Sequence, residues 1–69
     1  MIDEYLSAIE QVQDDGGVVL VKWDGLRVSR RHTVVVSRDD TDFVWHEDCD
    51  DIEQALRDAI DAYRTAHPR

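Results

Sequence analysis

A chain of 69 residues with sixteen acids, eight bases and a net charge of −8 is narrowly bounded in what it can do. A single domain of this size buries only about 60% of the surface its unfolded chain exposes, which argues against a deep catalytic pocket. Its field repels nucleic acid and anionic membrane and attracts basic partners.

Cys49 is the only cysteine, so no internal disulfide can form and a Cys-based zinc site would need ligands from elsewhere. The longest unbroken apolar run is Val18 to Val21, too short to span a membrane. The N-terminus lacks the basic-then-apolar layout of a secretory leader, so the expectation is a soluble intracellular, cytoplasmic protein. With Met1 at a helix start, the chain reads as a complete small gene product.

The first segment, IDEYLSAIEQVQDD, carries Ile2, Tyr5, Leu6, Ile9 and Val12 at helical spacing. Asp3, Glu4, Glu10 and Asp14 fall away from that stripe. Asp15-Gly16-Gly17 should end the helix, because glycine takes the left-handed conformation that helix C-termini use.

GVVLVKW, Asp24-Gly25 and LRVSRRHTVVVSR follow. Asp-Gly between β-formers predicts a hairpin with a two-residue turn. Pairing Trp23 with Leu26 across it gathers Val19, Val21, Trp23, Leu26 and Val28 on one face. Val18, Leu20, Lys22, Arg27, Ser29 and Arg31 then take the other. Arg38-Asp39-Asp40-Thr41 predicts a second turn. Pairing Ser37 with Asp42 puts Val34, Val36, Phe43 and Trp45 on the face of Trp23. The two hairpins conflict in one respect: the first strand meets the early half of the long middle strand, and the last strand meets its later half. A bulge, bend or shifted register is expected at Arg30-Arg31-His32.

In the last segment Ile52, Ala55, Leu56, Ala59, Ile60 and Tyr63 make the strongest helical stripe in the chain, and Pro68 ends it. The order is α-β-β-β-α. The predicted fold is a single α+β domain over residues 1–69, a three-stranded antiparallel sheet with both helices on one face. The other face is left open, with Val18, Leu20, Val35 and Val44 among Lys22, Arg27, Arg31 and Thr33. An antiparallel sheet tolerates such a face in water, and it is a candidate surface for a homodimer.

HEDCDD, residues 46–51, gathers a histidine, a cysteine and four carboxylates. Asp50 is expected as the N-cap of the last helix with Glu53 three residues on, a capping box, and Asp51 in the first turn suits the helix dipole. No second histidine stands at the i+4 spacing of a zinc helix, and the order departs from a calcium loop. No metal or cofactor is therefore expected. A reactive cysteine wants positive surroundings, whereas Cys49 sits among acids. His46 reads as a surface histidine.

Charge is segregated along the chain. Residues 1–15 carry a net −5, residues 16–38 a net +4, residues 39–61 a net −9 and residues 62–69 a net +2. Self-neutralisation would pair Arg27, Arg30, Arg31 and Arg38 with helix acids. The functional alternative is that carboxylates along two helices and a turn stand in for the phosphates of a duplex and dock on the bases that normally hold it. The expected contact is Asp39, Asp40, Asp42, Glu47, Asp48, Asp50 and Asp51, extended by Asp3, Glu4 and Glu10.

Three families come into view. VKWDGL and VWHEDCDDI resemble the strand and closing helix of a chromodomain, but Trp23 and Trp45 lie 22 positions apart, about twice that family's spacing. The α-β-β-β-α order resembles double-stranded-RNA-binding domains, which grip RNA with lysines at the start of the last helix. Here that place reads DCDDIE, so the sign is inverted. In size, charge and layout the whole chain is similar to the small acidic anti-CRISPR proteins of phages and mobile elements. That resemblance implies a non-enzymatic inhibitor of a CRISPR effector subunit. An immunity protein or antitoxin against a basic toxin shares the outline, and an adaptor that pairs through the open sheet face is a third reading.

Overall fold

The computed structural model describes residues 2–68, with side chains from Asp3 onward. Met1 and the side chain of Ile2 lie outside the described residues. A 3-10 turn over Ile2–Tyr5 leads into helix α1 (Leu6–Asp14). Strands β1 (Val18–Trp23), β2 (His32–Arg38) and β3 (Phe43–Cys49) follow, with a 3-10 turn at Asp39–Thr41, and helix α2 (Ile52–Ala66) closes the chain. The sheet is antiparallel in the order β1-β2-β3. The expected α-β-β-β-α fold is the one observed.

The core lies between the helices and one sheet face. Val12 of α1, Val34 and Val36 of β2, and Ala55, Leu56, Ala59 and Tyr63 of α2 form one buried cluster. Ile9, Val19, Val21, Phe43, Trp45, Cys49 and Ile52 pack against it. A fully buried leucine or valine contributes roughly 1.5–3 kcal/mol relative to exposure. The α2 stripe is buried from Ala55 to Tyr63, Ile60 included, and Ile52 is partly buried. The α1 stripe is only partly used: Leu6 is 50% exposed, because α1 lies over the edge strand β1 and touches the core through Val12 and Ile9.

The predicted two-residue turn at Asp24-Gly25 is not present. Trp23 pairs with His32, not Leu26, and the register continues through Val21↔Val34 and Val19↔Val36. Residues 24–31 form a long loop on which Leu26 and Val28 are fully exposed. Gly25 lacks the positive φ that the tight turn demands. The cause is cross-strand pairing. The Trp23–Leu26 register would set Val19 opposite Arg30, whereas the observed one sets valine against valine. Both outer strands now pair with the same stretch of β2, which removes the conflict at Arg30-Arg31-His32.

The loop is held by Asp24. Its Oδ1 accepts from Leu26 N at 2.9 Å, an Asx turn, and its own N–H donates to Arg31 O at 2.7 Å. In the second hairpin the observed pair is Arg38↔Phe43 where Ser37–Asp42 was expected. The slip is even, so every side chain keeps its predicted face. Asp42 takes a left-handed conformation, φ +56°, to close this turn.

Helix α2 is capped one residue later than predicted. Asp51, not Asp50, is the N-cap, and its Oδ1 accepts from Gln54 N at 3.1 Å. Asp50 is instead occupied by the loop: its Oδ1 accepts from Arg30 N at 2.7 Å.

Helix α1 ends in a Schellman motif. Gly17 N donates to Val12 O at 2.8 Å and Gly16 N to Gln13 O at 3.0 Å. Gly16 has φ +93°. A Cβ on Gly17 would lie 2.6 Å from Val12 Cγ1 and 3.1 Å from Ser37 O. Gly17→Ala is therefore expected to cost about 2 kcal/mol by overpacking, read as a lower urea midpoint. Gly25→Ala, with open space around it, should stay within about 0.5 kcal/mol of wild type.

Candidate interaction surface

The ten acids expected to form a contact do not form one patch. Strand β3 separates them by roughly 20 Å, seven residues at the extended rise. Asp39, Asp40 and Asp42 sit at one end of the sheet, and Asp50 and Asp51 at the other. Glu47 pairs with Val34 and faces the helix side, while Asp48 pairs with Thr33 and faces the open side.

At least four of the ten have structural work. Asp50 and Asp51 hold the loop and the helix cap. Asp40 receives two hydrogen bonds from Arg38, Nε at 2.8 Å and Nη2 at 3.1 Å, and the guanidinium holds its carboxyl below the usual carboxylate range. Asp48 Oδ1 accepts from Thr33 Oγ1 at 2.7 Å and faces Arg27 Nη1 at 3.0 Å and His46 Nε2 at 3.7 Å. The Thr33 hydroxyl first, and then Arg27, lower the Asp48 pKa. Asp39, Asp42, Glu47, Asp3, Glu4 and Glu10 are exposed. So are Asp14, Asp58 and Asp61, which were not among the expected contact residues although their positions off the helical stripes marked them as surface acids.

The middle segment's positive charge is largely spent inside the molecule. Arg27 meets Asp24 at 3.3 Å and Asp48 at 3.0 Å. Lys22 meets Asp24 at 3.5 Å, and Arg31 Nε donates to Asp24 O at 3.4 Å. Arg27 and Arg31 belong to the loop and not, as expected, to a strand. Arg27 still reaches over the open side of the sheet through Asp48, and Thr33 is 9% exposed there.

At the other end a polar network gathers three segments. Tyr63 Oη donates to Asp15 Oδ2 at 2.8 Å and accepts from Arg38 Nη1 at 3.2 Å. His67 stacks on Tyr63 with centroids 4.4 Å apart, and its Nε2 lies 2.6 Å from Thr41 Oγ1. The α1 C-terminus, the β2–β3 turn and the α2 C-terminus are thereby tied together. This end also carries exposed Asp14, next to the Asp15 that binds Tyr63, and exposed Asp39 and Asp42 in the β2–β3 turn. The loop end instead sets Lys22, Arg27, Arg30 and Arg31 among Asp24, Asp48, Asp50 and Asp51, so bases and acids are interspersed there.

Cys49 is half-buried. Burial first, and then Glu47, Asp50, Asp51 and Asp48, push its thiol pKa up, the reverse of what a nucleophile needs. Among the described residues no group of three or more His, Cys, Asp or Glu side chains is arranged to hold a metal. No helix among them is long and apolar enough to cross a membrane.

The open face carries three rows across the strands. Val18, Ser37 and Val44 form one, Leu20, Val35 and His46 the next, and Lys22, Thr33 and Asp48 the third. Val18, Leu20 and Val44 are 52, 57 and 70% exposed.

Because the folded pKa of Asp48 is depressed, its stabilisation is present above the ordinary value near 4 and is lost as pH falls through the folded one. Thr33→Val should therefore be less stable than wild type at neutral pH, with the difference shrinking below about pH 4. Urea unfolding at neutral and acid pH checks this; a difference that ignores pH would mean the hydroxyl does not favour ionised Asp48.

Comparison of the chain with protein-family models, with curated proteins and with solved structures finds no match.

Proposed function

We propose that the chain is a non-enzymatic acidic inhibitor that docks on a nucleic-acid-handling protein in place of its nucleic acid. Its most concrete form is an anti-CRISPR protein that blocks the DNA-binding surface of a CRISPR effector. The main support is the acidic end, where the Arg38–Tyr63–Asp15 network ties the α1 C-terminus, with exposed Asp14, to the β2–β3 turn, with exposed Asp39 and Asp42. Arg38, at the same end, is taken up by Asp40, Asp15 and Tyr63.

Rigidity matters as much as sign. A groove built for a duplex holds lysines and arginines at spacings set by phosphates. Carboxylates on a fixed frame meet such a groove without losing freedom on binding, which lowers the cost of association. Exposed Glu10, on the outer face of α1, extends the acidic end along the helix. Glu47, Asp48, Asp50 and Asp51 take a smaller part than the sequence implied, since most of them hold the loop end together.

The test is a mobility-shift assay with a purified DNA-binding CRISPR effector, a target duplex and the chain. The chain should release the duplex, more effectively at low salt than at high salt. The combined variant Glu10→Lys, Asp14→Lys, Asp39→Lys should lose at least about tenfold in potency, since like charges would face each other across the contact. Potency unchanged by both the reversal and salt would sink the mimic. Circular dichroism establishes that the variant is folded.

A further inference from the structure

We infer that the open face of the sheet is the interface of a homodimer, in which two sheets pack face to face about a two-fold axis parallel to the strands. The occupant of the face is a second copy of this chain. The inference does not depend on the inhibitor reading, because it uses the opposite side of the sheet from the helices.

The first argument is charge. Each copy carries −8, so two copies repel unless they meet where the acids are not. On the open face the charged side chains are Lys22 and Asp48, with Arg27 reaching over Asp48 and His46 beside it. It is balanced, not acidic, and two of its three rows are mainly apolar.

The second argument is complementarity under rotation. A two-fold axis along the strands lays β1 of one copy over β3 of the other and keeps the rows in step. Val18 then faces Val44, Val35 faces Val35, and Lys22 faces Asp48. The described contacts of Asp48 with Thr33, Arg27 and His46 all fall on Oδ1. An axis across the strands would instead put Val18 over Lys22 and Val44 over Asp48, apolar against charged. Packing of aligned sheets about 10 Å apart matches the first arrangement.

The third argument is area. Three strands at about 4.8 Å and seven residues at about 3.3 Å give a face of roughly 14 by 23 Å. That falls short of the ~800 Å² per partner of a standard stable interface. The loops make up part of the difference. The axis along the strands brings both loops to the same end, where the fully exposed Leu26 and Val28 of each copy can cover one another. The resulting dimer belongs to the weak, transient end of specific interfaces.

Sedimentation equilibrium of the full chain over a range of concentrations, at low and high salt, tests this. A monomer–dimer equilibrium that tightens with salt is expected, because screening removes the repulsion between the two acidic bodies. Salt has the opposite effect on the acidic docking proposed above, so the two readings can fail separately. Leu20→Glu and Val44→Glu should each weaken dimerisation at least tenfold while leaving the circular dichroism spectrum unchanged. The Glu10→Lys, Asp14→Lys, Asp39→Lys variant should still dimerise. The axis is tested by oxidation in a Cys49→Ala background: mixed Val18→Cys and Val44→Cys chains should cross-link with each other and not with themselves. A chain that stays monomeric at high salt, or dimerises with both glutamates in place, overturns the homodimer; self-linked Val18→Cys pairs overturn the axis.

Discussion

Strand β2 is the constraint on which the rest of the structure depends. It is the one strand in the sheet hydrogen-bonded on both sides, and its Val34 and Val36 are wholly buried beneath α2. Both edge strands choose their register by matching apolar side chains to those two valines. Val19 and Val21 meet them from one side, and Trp45 meets Val36 from the other. Once that choice is made, residues 24–31 have no strand to join and must leave the sheet. Asp50 is then drawn to the loop backbone, and the cap of α2 passes to Asp51. A preference for buried valine pairs thus propagates to a helix terminus.

Polar contacts finish what the core begins, and they do so differently at the two ends. At the loop end, Asp24 and Asp48 each collect several donors, so the loop is fixed by charge and not by burial of its own apolar residues. At the opposite end, the phenol of Tyr63 joins Asp15 to Arg38, and Phe43 and His67 pack their rings around it. One consequence is electrostatic. Internal pairing takes up much of the basic segment, so the acid excess that remains outward is concentrated on the helices and the Tyr63 end. The molecule therefore has an acidic helical side and a balanced, partly apolar sheet side.

Periodicity made the elements legible. The stripe of α2, from Ile52 to Tyr63, and the alternation of Val34, Val36, Phe43 and Trp45 depend only on local geometry, 3.6 residues per helical turn and two per strand. Facing survived even where the β2–β3 register was off, because an even slip leaves side chains on the same side. The helix-ending glycines were legible for a similar reason: Gly16 needs a left-handed backbone, and Gly17 has a neighbour where a Cβ would sit.

What the amino-acid sequence determined by itself was the inventory of elements, their apolar faces and the sign of the surface, since each of these is set within a few residues. The tertiary structure decided the β1–β2 register, the position of the α2 cap and the division of the acids. Asp24-Gly25 looks like a tight turn locally, but the valines that outbid it lie about ten residues further on. Which carboxylates are structural and which face outward depends on where Arg27, Arg30 and Arg38 arrive, and no local spacing encodes that. Asp14 and Asp39 come to the same end of the molecule because Tyr63, from the far end of the chain, binds Asp15 and Arg38 at once.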